Sequence, residues 1–189
     1  MRPKRFLLSA LFLVFFSAAL ARDFTWPGHG VISFEVPAGW KLEGQPAEDV
    51  GYAFRARPDS GAAAILQITL VNTPANKPVL AGELTDRLHA SLQPYIDQSV
   101  EKEFRPVALK CRQGKGCYAE LTDAALAGKP PVAGDYKVMR SALVALDRQA
   151  LVVATMQFDD PAADEAGEML AIVGSMRFTR SGAAGRTEQ

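Results

Sequence analysis

Apolar and polar residues alternate with a period of two in three stretches near the start of the chain. Val31-Ile32-Ser33-Phe34-Glu35-Val36 is apolar-rich and stops at Pro37 and Gly39, with Trp40 after the turn. Tyr52, Phe54 and Ala56 share one side of a second run, with Arg55 on the other. In the third, from Ala64 to Val71, Leu66, Ile68 and Leu70 alternate with Gln67 and Thr69. Side chains on a strand point to opposite faces in turn, so each run predicts a strand with one buried face.

The period then becomes helical. Leu80, Leu84, Leu88 and Leu92 recur at every fourth residue and fall on one face. Asn76 is placed to cap this helix, and Pro78 to occupy its first turn. Pro94 ends or kinks it, having no N–H to bond the carbonyl of residue 90. Strands resume from Glu101 to Lys110 and from Cys117 to Leu121, followed by the loop Ala127-Gly128-Lys129-Pro130-Pro131. Tyr136 to Leu146 and Ala150 to Phe158 are long strands whose link, Asp147-Arg148-Gln149, is short enough for a hairpin. Asp160-Pro161 opens a second helix that buries Ala166, Met169, Leu170 and Val173 and stops at Gly174. Arg177-Phe178 gives a last short strand, and 180–189 a disordered tail. Strands joined by short turns, with helices between, predict an α+β fold: a mainly antiparallel sheet with helices packed on it.

The N-terminus reads as an export signal. Arg2, Lys4 and Arg5 precede an apolar run from Phe6 to Leu20, which closes on Ala19-Leu20-Ala21, small at the positions signal peptidase reads. The expectation is a signal peptide over 1–21 cut after Ala21, a flexible segment over 22–30, and one globular domain over 31–179. No Cys follows the run and no Arg pair precedes it, so lipidation and the twin-Arg route are not indicated. The sequence thus places the product in the periplasm or outside the cell, without stable membrane insertion.

Composition narrows the function. The 189 residues hold 21 Lys and Arg against 21 Asp and Glu. Three of the bases lie in the signal, so the remainder is mildly acidic. That is no charge pattern for a nucleic-acid binder, which needs clustered Lys and Arg.

Phe34-Glu35-Val36-Pro37-Ala38-Gly39-Trp40 resembles the opening strand and F-x-V-P-x-G-W turn of the PsbP/Mog1-like superfamily, which includes DcrB-like exported proteins. Leu151-Val152-Val153-Ala154-Thr155 and the segment closing on Ser175-Met176-Arg177-Phe178 resemble that family's last strand and its closing helix and S-x-x-F. The resemblance implies an α/β/α sandwich around an antiparallel sheet. It also implies an adaptor, accessory, chaperone or immunity role rather than an enzyme, with no catalytic motif to carry over.

Residues with chemistry are few. Cys111 and Cys117 flank Arg112-Gln113-Gly114-Lys115-Gly116. With Gly114 at the apex they would face each other across a hairpin and form a disulfide in an oxidising compartment. The same tip carries Lys110, Arg112 and Lys115, a basic group open to an acidic partner or simply a solvated turn. His29 and His89 are the only histidines, and Ser91, two residues from His89 on a helix, cannot face it. Asp159, Asp160, Asp164, Glu165 and Glu168 lack EF-hand spacing and suit the positive end of a helix instead. Trp26 and Trp40 read as core-edge anchors, and no phosphate loop, zinc-protease or nucleophile-elbow motif occurs. The sequence therefore predicts an exported, non-enzymatic module with a protein partner and no cofactor or metal. A small-ligand or lipid-binding envelope protein and an unrecognised hydrolase are the alternatives.

Overall fold

The computed structural model describes residues 19–47, 51–74 and 76–181. Its strands are β1 (Leu20–Trp26), β2 (Gly30–Val36), β3 (Trp40–Ala47), β4 (Gly51–Pro58) and β5 (Ala64–Asn72), then β6 (Val107–Leu109), β7 (Lys115–Thr122), β8 (Val138–Asp147), β9 (Ala150–Phe158) and β10 (Arg177–Arg180). A 3₁₀ turn over Ala81–Glu83 leads into α1 (Leu84–Ile96), and α2 (Asp164–Ser175) lies between β9 and β10. β3 to β9 make a seven-stranded antiparallel sheet in the order β3-β4-β5-β9-β8-β7-β6, and β1-β2-β10 a smaller one.

The large sheet has two unequal faces. On one, alternate residues of β4, β5, β9 and β8 form the main core with α2 and the small sheet. Phe24 and Phe34 from the small sheet meet Phe54 edge-on, with ring centres 5.0 and 4.8 Å apart, the geometry aromatic quadrupoles favour. On the other face α1 lays Leu84, Leu88, Leu92 and Ile96 against Cys117, Ala119 and Leu121 of β7 and Leu143 and Ala145 of β8. α1 stops there. Helices on both faces of an antiparallel sheet make the fold α+β, as the element pattern implies.

The boundaries correct the sequence reading in several places. The segment expected to be flexible over 22–30 is structured: β1 pairs with β2 along its whole length, from Leu20 opposite Val36 to Trp26 opposite Gly30. Trp26 is buried and its ring fixes the strand. The expected cleavage after Ala21 falls inside β1, while 1–18 and 182–189 lie outside the described residues. α1 begins later than Asn76, because the approach is tied to the β8–β9 turn: Thr73 N–H donates to Gln149 O and Val79 N–H to Arg148 O, both at 2.8 Å. Pro94 sits in the last turn, and the helix runs on to Ile96. The strand expected from Glu101 shrinks to Val107–Leu109, since the Glu101 carboxylate turns back to accept from Thr122 N–H and hydroxyl, each at 2.8 Å. α2 starts at Asp164 because Asp160 instead closes a turn, accepting from Ala162 N–H through its side chain.

Candidate functional site

Between α1 and the β3 edge one face of the large sheet is left bare. The register lines up cross-strand rows there. Glu43 stands opposite Arg55, Arg55 opposite Gln67, Gln67 opposite Thr155 and Thr155 opposite Ser141. The next row runs Gln45, Ala53, Thr69, Val153 and then Leu143 at the flank of α1. Lys41 stands opposite Arg57 in the row on the other side. The polar members are outward positions of alternating strands whose inward residues, Phe54, Ile68 and Ala154, are buried. Glu43, Gln45, Ala53, Arg55, Gln67 and Thr69 line an open trough of about 510 Å³. A second hollow of about 230 Å³ lies between Lys41, Glu43, Arg55 and Arg57.

The charges on this face are unevenly paired. Lys41 Nζ lies 2.7 Å from Glu43 Oε1. Their hydrogen bond and mutual attraction hold the Glu43 carboxyl below the usual carboxylate range and raise the Lys41 ammonium, with Arg55 and Arg57 adding to the pull on Glu43. Arg55 and Arg57 are exposed and form no ion pair among the described residues. The site is thus a polar floor with two unpaired guanidinium groups on one strand. Such groups bind carboxylates in bidentate fashion.

At the far end of the same face, where α1 ends, Tyr95, Gln98, Tyr136, Lys137, Met139 and Gln157 border a hollow of about 170 Å³. It is too small for more than a few heavy atoms, and its polar groups belong mainly to the loops that end α1 and open β8.

The cysteines do not form the expected disulfide. Both are free thiols. The β6–β7 register puts Cys117 opposite Ala108, so the hairpin turns before Gly114 and Cys111 lies beyond the paired residues. The pleat does the rest: Cys117 points into the α1 cluster, while Cys111 packs against the main core on the opposite side, near Gly116. Burial pushes both thiols up, which makes them poor nucleophiles.

The basic tip is docked onto the body of the fold. Arg112 forms an ion pair with Glu35, and its N–H donates to Gly174 O at 2.8 Å. Gln113 accepts from Phe178 N–H at 2.8 Å and reaches toward Leu146 O and Phe178 O. Gly114, at φ +76, could not carry a Cβ, which would fall 1.9 Å from Ala145 O. Lys110 and Lys115 stay exposed at its sides.

The other candidates have structural partners. His29 stacks on Trp26 and His89 on Phe104, at 4.2 and 4.6 Å. Ser91 hydroxyl donates to Leu88 O within α1. Glu168 accepts from Trp40 Nε1–H at 2.7 Å, and Asp159 from Lys137 N–H at 3.2 Å. Among the described residues no group of three or more His, Cys, Asp or Glu is set to hold a metal ion.

One buried charge escaped the sequence reading. Arg140 is 8% exposed and faces the main core from β8. Its guanidinium donates twice to Glu120 Oε2 and once to Ala166 O, at 3.0, 2.5 and 2.6 Å, between the rings of Tyr118 and Phe158. The signal was present: Arg140 shares its parity with the apolar Val138, Ala142 and Val144.

No protein-family model matches the chain. The curated proteins give no match either. Among solved structures the chain is similar to the solution structure of cyanobacterial PsbP (CyanoP) from Synechocystis, with a TM-score of 0.49 and 14% identity over 91% of this chain and 99% of that one. It is also similar to the Saccharomyces cerevisiae Ran-binding protein Mog1p, with a TM-score of 0.43 and 15% identity over 84% of this chain and 95% of that one.

Proposed function

We propose that the chain is an exported, non-enzymatic module that binds a protein partner on the bare face of its large sheet. The observation behind this reading is the contrast between the two faces. One is sealed by α2 and the small sheet, whereas the other is covered by α1 over β7 and β8 only, leaving polar rows on β3, β4, β5 and β9. A rigid floor of amide, hydroxyl and guanidinium groups offers hydrogen bonds in fixed places, and Arg is enriched where proteins meet. Export is supported by the basic, apolar and A-x-A segments of the N-terminus. The hairpin tip is the weaker docking surface, because Arg112 is held by Glu35 and the loop by α2 and β10.

The test uses the tagged, secreted chain and a periplasmic extract from the cells that make it. The wild type retains a companion in fixed stoichiometry, and Gln67→Trp, which raises a bulky ring from the exposed floor, loses it while melting as the wild type does. Equal retention by both would contradict the assignment of the face. Absence of the chain from the periplasmic and extracellular fractions would contradict export.

A further inference from the structure

We propose that the occupant of this face is an extended, acidic segment of the partner protein with carboxylates at alternate residues, seated along β4 on Arg55 and Arg57. The inference rests on the reading of that face as the docking surface.

Charge is the first argument. The rows carry Lys41, Arg55 and Arg57 against one carboxylate, Glu43, and Lys41 already holds that carboxylate. The remaining positions, Gln45, Gln67, Thr69, Thr155 and Gln157, are uncharged. A mildly acidic exported chain has thus placed side by side on this face two cations that have no ion-pair partner among the described residues.

Spacing is the second. Residues two apart on a strand lie about 6.8 Å from each other, and carboxylates two apart on an extended segment repeat at the same interval. A segment lying along β4 presents successive outward carboxylates to Arg55 and Arg57, each in the paired geometry that guanidinium and carboxylate share. The amide of Gln67 stands in the row of Arg55, and that of Gln45 in the adjacent row opposite Ala53, on the strands either side, where they can bond its main chain.

Size is the third. Four strands at about 4.8 Å spacing and about 27 Å long make a floor of about 400 Å², half the ~800 Å² that each partner gives to an ordinary interface between folded proteins. A single extended segment fits it.

A lipid surface suits the face poorly, since Val153 is its one well-exposed apolar side chain among the described residues; Ile65 is buried, and Ala53, Val71 and Leu151 on the same face are half-buried. Interfacial anchors are large and apolar. Single-stranded nucleic acid needs stacking rings, and Tyr52 and Phe54 point into the core on the other side.

The probe is a fluorescent peptide alternating Glu and Thr, titrated by anisotropy against the full secreted chain. A peptide of the same composition with its Glu residues adjacent, and phosphatidylglycerol vesicles, serve as comparisons. The alternating peptide binds, weakens with added salt, and weakens about tenfold or more with Arg55→Glu or Arg57→Glu. The adjacent-Glu peptide binds more weakly, and the vesicles do not bind. Both variants alter exposed side chains, and unchanged melting curves verify their fold. Peptide binding that ignores the arginines or the Glu spacing, vesicle binding that needs them, or no peptide binding at all would overturn the proposal. If Gln67→Trp still displaces the companion in that event, the docking face stands and only its acidic occupant falls.

Discussion

Glu43 is bonded to Lys41, two residues along its own strand and 2.7 Å away, although Arg55 stands directly opposite it on β4. The choice leaves Arg55 available. Lys41 and Glu43 are both exposed, and exposed pairs of this kind add little to stability. Glu43→Gln should leave the melting temperature where it is and remove the one carboxylate from the face. The alternating acidic peptide should then bind about two- to threefold more tightly in the same titration. A weaker complex would show that Glu43 contributes to binding directly.

Arg140 should matter to stability more than any residue on the bare face. Its guanidinium is buried, bonded to Glu120 and to the α2 carbonyl of Ala166, and sandwiched between two rings. Arg140→Ala leaves both acceptors short of a donor and a gap behind the rings. Urea unfolding should show a loss of about 2–3 kcal/mol, below the largest buried-pair effects because the Glu120 side chain is partly exposed. Replacing the pair together, Arg140→Met with Glu120→Leu, should recover most of that loss. A double variant no better than the single would mean that the rings and carbonyl hold Arg140, not its partner.

Two carboxylates make stability depend on pH. Burial pushes the Glu101 carboxyl up, but hydrogen bonds from Thr122 N–H and hydroxyl outweigh it and hold the group below its ordinary 4.5. Burial acts likewise on Asp147, where bonds from Arg180 and Gln149 N–H and the Arg180 charge hold it below 3.8. A lowered folded value means that each contribution is complete above the ordinary value and disappears as pH falls through the lowered one. Glu101→Gln with Asp147→Asn should therefore be less stable than the wild type near pH 6, with the gap closing below about pH 4. Thermal melts across that range decide it, and a gap independent of pH would contradict the assignment.

The two thiols should behave as separate groups. Reductant should leave the melting temperature unchanged, and two sulfhydryls should titrate after unfolding. In the native protein Cys111, the less buried, should react first and slowly, because burial raises both thiols. Cys117→Ser should cost about 1 kcal/mol more than Cys111→Ser, because it puts a hydroxyl among the apolar side chains under α1. A melting temperature that fell with reductant would restore the staple that sequence spacing suggested.

The strands and helices were legible in the sequence where the pattern was strong. β5, β8, β9 and the bodies of both helices appear where expected, though each helix starts later, because Leu66-Ile68-Leu70 and the leucine stripe of α1 carry unmistakable periods. β3 was missed. Gly44 and Pro46 interrupt its alternation, and both are tolerated because β3 is an edge strand. Which strands keep a bare face was also partly written. β8 is nearly continuous in apolar residues and is covered on both sides, whereas β4 alternates from Tyr52 to Arg57 and β5 from Leu66 to Leu70, and those stretches are covered on one. What could not be read was the order that seats β9 beside β5 and so joins Gln67 to Thr155. That pairing spans almost ninety residues of sequence, and nothing local specifies it. The cysteines failed for a related reason: one step of register decides which face a side chain takes, and the loop sequence left the apex ambiguous.

Position-specific photo-cross-linking in living cells tests the docking face most directly. A photoreactive residue in place of Gln67, on the bare floor, should join the chain to a second polypeptide. The same group in place of Gln93, exposed on α1, should not. Adducts equal at the two positions, or found at Gln93 alone, would contradict the account.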